Sequence, residues 1–336
     1  MAVTIKDVAR ESGVNISTVS RSLNGSYGVN KETRERVIAV AHRLNYRPNR
    51  VARGLATGQS NTLGLIVSDI RNPYFSEVAR GAEDAAWHAG CDVVLCNSDL
   101  DPAKQMRYVS SLLEKRVDGM LVNSIADLSK RQQEQLAASG IPIVLLNRPA
   151  GVKAFSSISV ENYEGGVLAG NYLLELGHRK MAFLSGPKRH GSFSERGRGF
   201  EFALAQSGKA AEPLILNDDQ SFAGGYQMTK QLLSQDRAIT AVFAANDVIA
   251  YGLIRAAMEA GLRIPQDLSV VGFDDLEMSA ILHPPLTTIR QPKYEIGRAA
   301  MEMLLARTKA RGRSAAEPEH RILGVQLVIR ESCGRA

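Results

Sequence analysis

The sequence predicts an α/β protein: an all-α helix–turn–helix head followed by two doubly wound, Rossmann-like lobes. Three observations carry that expectation. "TIKDVARESGVNISTVSRSLNG" (residues 4–25) reads as two short helices meeting at a glycine. From Thr62 onward, apolar runs of strand length alternate with amphipathic helical stretches. The whole positive excess of the chain lies in its first 60 residues.

The head comes first. Thr4 with Asp7 three residues on fits a capping box, and Ile5, Val8 and Ala9 form the apolar stripe of a first helix. Gly13 closes it, Val14 and Asn15 turn the chain, and a second helix runs from Ile16 to Leu23 with Val19 and Leu23 inward. That helix carries Ser17, Thr18, Ser20 and Arg21, more polar groups than a core-facing helix uses. After "NGSYG", Asn30 can cap a third helix from Lys31 to about Leu44, with Val37, Ile38, Val40, Ala41 and Leu44 apolar. "YRPNRVARGLATGQSN" then reads as a linker with room for one short helix.

The body follows. Strands are expected at 63–67, 92–96, 119–123, 141–147 and 156–160, and again at 181–186, 213–217, 239–246, 268–275, 286–291 and 324–329. These are many for one sheet, so the region divides into two lobes near residue 161. Alternating strands and helices imply mostly parallel sheets that bind ligands at their carboxyl ends.

Charge separates head from body. Residues 1–60 hold ten Lys/Arg and four acids, whereas the rest of the chain is neutral. A solvated basic face would also look like this, but beside a small helical module nucleic acid is the stronger reading. With 336 residues, 44% of them hydrophobic, the chain can bury more than one core. It has no apolar run long enough for a membrane helix and no secretory h-region, so a cytoplasmic protein without a membrane partner is expected. Cys91, Cys96 and Cys333 have neither CxxC nor zinc spacing. The six histidines are scattered, and P-loop, GxGxxG, GxSxG and HExxH motifs are absent. No cofactor, metal or enzymatic activity is expected. Asp274 and Asp275 end a strand as neighbours and should point apart rather than share a site.

Eight segments in order resemble the LacI/GalR family of bacterial transcriptional repressors. They are "TIKDVARESGVNISTVSRSLN", "LNYRPNRVARGLA", "NPYFSEVARGAEDAAWHAG", "KRVDGMLV", "ELGHRKMAFLSGP", "ANDVIAYG", "LSVVGFDD" and "PPLTTIRQP". The resemblance spans essentially the entire chain. It implies a DNA-binding head (1–46), a hinge helix and linker (47–60), a first lobe (61–161 plus 292–322) and a second lobe (162–291 plus 323–336), the lobes being of the type I periplasmic-binding-protein kind. By resemblance Ile16, Ser17 and Arg21 meet base edges in the major groove, chemistry that suits them: a thymine methyl, a neutral donor or acceptor, a guanine. Thr4, Ser20, Asn24, Tyr46, Asn49 and Arg50 fall to the DNA backbone. Leu55 matches the apolar wedge of the hinge helix, although it could instead pack on the lobe below. Gly54 departs from the family, which commonly carries a residue such as serine there. Glycine costs a helix interior about 1 kcal/mol relative to alanine.

The resemblance also implies an effector pocket between the lobes: Asn72, Tyr74, Phe75, Asn147 and Arg148 from the first, Arg196, Asn246, Asp274 and Gln291 from the second and its crossover. Such groups make several directed hydrogen bonds, as a sugar demands, and a pentose or related sugar is expected. Tyr74 and Phe75 begin a helix, where a core role fits as well as a ligand role. Asn147 stands where many sugar sites carry aspartate. Gln220 or Phe222 takes the place of a stacking aromatic. The expected partners are a near-palindromic duplex operator, the effector and a second copy of the chain, since "VIRESCGRA" carries no leucine heptad for a tetramer. Two other classes remain open: a sugar-binding transport or chemotaxis protein, and a cytoplasmic sugar-acting α/β enzyme.

Overall fold

The computed structural model describes residues 3–25, 27–46, 58–123, 129–147, 154–187, 191–236, 238–310 and 317–336. Asn49, Arg50, Gly54, Leu55 and Arg148 lie outside the described residues. The chain forms two compact units, Met1–Ser60 and Asn61–Ala336.

In the first unit, α1 (Ile5–Ser12), α2 (Ile16–Leu23) and α3 (Lys31–Arg43) follow the expected bounds closely. The Thr4 N–H and hydroxyl both donate to Asp7 Oδ2, at 3.0 and 2.7 Å, closing the start of α1. Gly13 ends it in the left-handed conformation (φ 66°), which glycine adopts without a Cβ clash. Asn15 and Asn30 cap α2 and α3 by accepting the Thr18 and Thr33 N–H groups, both at 2.8 Å. Val8, Val19 and Val37 are fully buried at the centre of the unit, with Ala9, Val40 and Ala41 around them. Ile38, though apolar, is 41% exposed. One residue past the buried Val37, it is turned about 100° away on the helix.

The second unit contains two six-stranded sheets. The first half of its chain runs β1 (Thr62–Val67), α4 (Pro73–His88), β2 (Asp92–Asn97), α5 (Pro102–Glu114), β3 (Gly119–Asn123), α6 (Lys130–Ala137), β4 (Ile143–Leu146) and β5 (Ser156–Val160). Next come α7 (Asn162–Glu175), β6 (Met181–Ser185), α8 (Gly191–Ser207), β7 (Leu214–Asn217), α9 (Phe222–Gln235), β8 (Ala241–Ala244) and α10 (Asp247–Glu259). The remainder is β9 (Ser269–Asp274), α11 (Glu277–Ile281), β10 (Thr287–Arg290), α12 (Lys293–Lys309), β11 (His320–Leu323) and β12 (Gln326–Val328).

The first sheet has the order β11-β5-β4-β3-β1-β2 and is parallel throughout. The second has the order β12-β10-β9-β8-β6-β7 and is parallel except for β12, antiparallel to β10. Both are doubly wound, and the switch in winding at β1 and at β6 opens a crevice beyond the strand ends. Helices cover both faces, so the central strands are buried from end to end: every residue of β3, β4, β6 and β8 is inaccessible. The chain leaves the first sheet after Val160, returns as α12 packed on α4, and passes through Gly324 from β11 to β12.

Strand β11 is a finding that sequence patterning did not anticipate. "HRIL" is short, charged and exposed over its first three residues, and it sits at a sheet edge, where alternation is weak. Its place is held by register with β5 and by His320 Nδ1 against Ser157 Oγ at 2.9 Å.

Candidate functional sites

The head offers one polar helix face. Ile16 is 43% exposed at the start of α2, and Ser17 and Arg21 project from the same face, four residues apart. The Ser17 hydroxyl donates to Asn15 Oδ1 at 2.7 Å, which leaves its oxygen free to accept. Arg21 Nε donates to the Ser17 carbonyl at a long 3.4 Å. Asn24 Nδ2 donates to Ser20 Oγ at 3.4 Å, one turn apart at the end of α2. Tyr46 packs partly into the head's core, and burial raises its phenol above the ordinary range.

In the second unit, several expected effector residues meet. Asp274 ends β9 with φ at 126°, and its side chain is 3% exposed. Gln291 Nε2 donates to Asp274 Oδ1 at 2.5 Å, and Lys293 Nζ donates to the Asp274 carbonyl at 2.8 Å. Arg196, 5% exposed on α8, lies 3.9 Å from that carboxylate. Its guanidinium stacks 3.5 Å from the Phe273 ring centroid, while Nε donates to Asn162 Oδ1 (2.8 Å) and Nη1 to the Ala245 carbonyl (2.5 Å). Burial pushes Asp274 up to about 7 and Arg196 down to about 10, although each opposes the other's shift. Each member of the pair is thus buried and held by its own partners, Arg196 by Phe273, Asn162 and Ala245, and Asp274 by Gln291. Gln291 Oε1 is buried with no hydrogen-bond partner among the described residues. Buried polar groups are ordinarily hydrogen-bonded, so this carbonyl stands out within the cluster.

The first-lobe residues form a chain of neutral groups. The Tyr74 hydroxyl donates to Asn147 Oδ1 (2.9 Å), and Asn147 Nδ2 donates to Asn123 Oδ1 (2.8 Å). Asn123 Nδ2 reaches Ser68 Oγ, and Gln105 Nε2 donates to the Asn123 carbonyl at 3.1 Å. Burial raises the Tyr74 phenol; the charge of Asp274 adds to the shift and that of Arg196 opposes it, so the three share one electrostatic neighbourhood.

Other expected residues have structural duties. Asn72 and Asn246 cap α4 and α10 through Oδ1, at 2.9 Å to Tyr74 N and 2.7 Å to Ile249 N. Only their Nδ2 groups remain, that of Asn246 lying 3.4 Å from the Gln220 carbonyl. Phe75 belongs to the first lobe's core and meets the Tyr74 ring edge-on at 5.0 Å. Phe222 is 46% exposed at the start of α9.

Sequence reasoning missed Asn162, Asn123, Ser68 and Asp247. Asp247 is fully buried and accepts from Leu276 N (2.8 Å), Ser279 Oγ (2.6 Å) and Thr288 Oγ1 (2.6 Å), pinning the turn that presents Asp274. A polar pair at a strand end, Asn246-Asp247, was the available signal. Asp275 does point away from Asp274, as expected: burial would raise its pKa, but bonds from Arg290 and Arg330, both 2.6 Å, hold it low.

A helix–turn–helix head on a chain that also builds two doubly wound lobes with a buried polar cluster defines a ligand-sensing transcriptional regulator. The chain belongs to the lacI family of bacterial regulatory proteins, whose pattern matches residues 4–49; a periplasmic binding protein-like domain matches residues 171–333. It is 36% identical to catabolite control protein A of Priestia megaterium over 309 residues, covering 90% of this chain and 92% of that one. Among solved structures it resembles the Lac repressor dimer bound to operator and the anti-inducer ONPF (TM-score 0.87, 32% identity, 99% of both chains). It also resembles a LacI family transcriptional regulator from Enterococcus faecium with bound ribose (TM-score 0.74, 33% identity, 82% of this chain and 99% of that one). Among the described residues no helix is long and apolar enough to cross a membrane.

Proposed function

We propose that the chain is a repressor that binds a near-palindromic duplex operator as a homodimer and senses a small polyhydroxylated effector, a pentose or other sugar, between its two lobes. It acts by binding rather than by turnover. Residues 1–46 read DNA and 47–60 form the hinge; 61–161 with 292–322, and 162–291 with 323–336, are the lobes. Ile16, Ser17 and Arg21 meet base edges, and Thr4, Ser20, Asn24 and Tyr46 the phosphates. Leu55, Asn49 and Arg50 keep the hinge roles that the family resemblance implies, and Arg148 its place in the effector set. The carrying observation is the buried cluster of Arg196, Asp274 and Gln291 with its unpartnered Gln291 carbonyl. A guanidinium, a carboxylate and an amide in one dry cluster suit vicinal hydroxyls, which both donate and accept. Relatives solved with operator and with bound ribose support the same reading.

Effector binding shifts operator affinity only through its different affinity for the two lobe arrangements. The test is calorimetry against pentoses, hexoses and purines, followed by operator binding with and without the compound that binds. Asp274→Ala and Arg196→Ala should lose the response and keep operator binding. A fully responsive Asp274→Ala would remove the effector assignment and leave the regulator reading standing.

A further inference from the structure

The turn after β9 has an unusual backbone. Asp274 (φ 126°) and Asp275 (φ 52°) are consecutive residues with positive φ, and neither is glycine. Such conformations persist only where their surroundings over-determine them. Some contacts that hold this turn come from the second lobe's own elements. Asp275 accepts from Arg290 and Arg330, and the Leu276 N–H donates to Asp247. Others come from across the molecule. Lys293 Nζ donates to the Asp274 carbonyl at 2.8 Å and to the Asp275 carbonyl at 2.7 Å. Leu276, 2% exposed, joins Ile296 in the apolar cluster built on the first sheet. Lys293 and Ile296 both stand at the start of α12, which packs on α4 and on β3, β4 and β5. The path to α12 is itself stiff. Lys293 N donates to the Gln291 carbonyl at 2.9 Å around Pro292 (φ −78°, ψ 67°), the geometry of an inverse γ-turn. Proline fixes φ there. Gln291, at the other end of this turn, donates to the Asp274 carboxylate. One short link thus grips Asp274 twice, with an amide on its carboxylate and an ammonium on its carbonyl.

From this arrangement we infer that Lys293 is a positioning residue that straps the two lobes together. Its ammonium, carried by α12 on the first lobe, holds the Asp274–Asp275 turn of the second and so sets the Asp274 carboxylate beside Gln291 and Arg196. The part that concerns the carboxylate rests on the proposed effector role of Asp274. An ammonium suits the task, because it carries three donors on a flexible stem and can serve two carbonyls at once. Hydrogen bonds from a charged donor are also stronger than neutral ones. The strap makes the geometry of the turn depend on where α12 stands. A relative movement of the lobes loads these two bonds, and a ligand on the carboxylate biases the same turn. Different affinity for two lobe arrangements then has an atomic origin in this contact.

The test uses the full chain and amide hydrogen exchange, read in peptides spanning the turn (272–278) and the start of α12 (293–299). Calorimetry against D-ribose, D-xylose, L-arabinose, D-glucose and D-galactose accompanies it. Lys293→Met removes the donors and keeps the stem, whereas Lys293→Arg keeps charge and donors. Arg290→Gln weakens a hold on the turn from within the second lobe. Lys293→Met should speed exchange in both peptides by about tenfold, the worth of a hydrogen bond to a charged group. It should also weaken, by about the same factor, whichever of these sugars binds the wild type. Lys293→Arg should match the wild type in both readouts. Arg290→Gln should speed the first peptide alone. Lys293→Gln, with two donors on a shorter stem, should fall between, and it serves the comparison where Lys293→Met does not fold. Unchanged exchange at the turn in Lys293→Met overturns the inference. Faster exchange there with the start of α12 unaltered overturns it too, making Lys293 a local prop. Faster exchange in both peptides with sugar affinity intact overturns the positioning role. Where none of the sugars binds the wild type, the effector reading fails, and exchange alone decides the strap.

Discussion

The residue that most shapes the chemistry of the second unit is Asp274. Burial raises it from 3.8 to about 7, more than Arg196 and Gln291 offset. A carboxyl raised on folding contributes stability that is fully present below 3.8 and is lost as pH rises through about 7. Asp274→Asn removes that titration. The stability of the wild type relative to Asp274→Asn should therefore fall with rising pH across this window, by up to about 1.4 kcal/mol per pH unit. Urea unfolding of both proteins at several pH values checks this, and a difference that stays flat would count against the buried-carboxyl account. In the head, Arg21→Ala should cost about 1–3 kcal/mol on the selected operator and far less on scrambled DNA, measured by titration at one fixed salt concentration.

Among the elements, α7 and α8 matter most to the buried Arg196–Asp274 cluster, because α8 carries Arg196 and α7 carries Asn162, which accepts from it. Their backbones are in contact. A Cβ at Gly166 would collide with the Arg196 carbonyl, and one at Gly199 with the Tyr163 carbonyl. Gly166→Ala must push the helices apart at the residue that faces Asp274. The expected result is about 1–3 kcal/mol of lost stability, in the range of overpacked cores, together with weakened binding of whichever sugar calorimetry identifies. An alanine variant with unaltered stability and sugar affinity would show that the close approach has no part in placing Arg196. Asn162 adds a link of another kind: its Nδ2 donates to the Val160 carbonyl at 3.2 Å, so the last residue of β5 is joined through one side chain to the guanidinium of the other lobe.

At the scale of the whole molecule, the chain divides its charge between two tasks. The head carries the entire excess of +6 and the remainder is neutral. Operator binding should weaken steeply with salt, log K falling linearly with log salt by roughly 0.9 per phosphate neutralised. Sugar binding, lodged in a neutral unit, should be nearly insensitive. Titrations of operator and of the identified sugar over the same salt series test that contrast, and a steep salt dependence of sugar binding would contradict it. Coupling between the two events must be reciprocal: the factor by which sugar changes operator affinity equals the factor by which operator changes sugar affinity.

The sequence by itself determined the elements and their class. Caps at Thr4 and Asn30, the stop at Gly13, the turn at Val14 and Asn15 and the apolar runs of the central strands are local signals, set by hydrogen bonds and periodicities within a few residues. Strand number predicts a division near residue 161, and the family resemblance proposes Arg196, Asp274 and Gln291 as effector residues. Tertiary structure alone decided which polar atoms are already taken. Asn147 is engaged at both ends by Tyr74 and Asn123, Asn72 and Asn246 give their oxygens to helix caps, and the oxygen of Gln291 has none of these partners. It also decided the edge strand β11 and the outward turn of Ile38. The physical reason is range: a cap or a stripe is written within one turn of chain, whereas hydrogen-bond satisfaction and burial depend on residues brought together from as far apart as Tyr74 and Asn147 or Asn162 and Arg196.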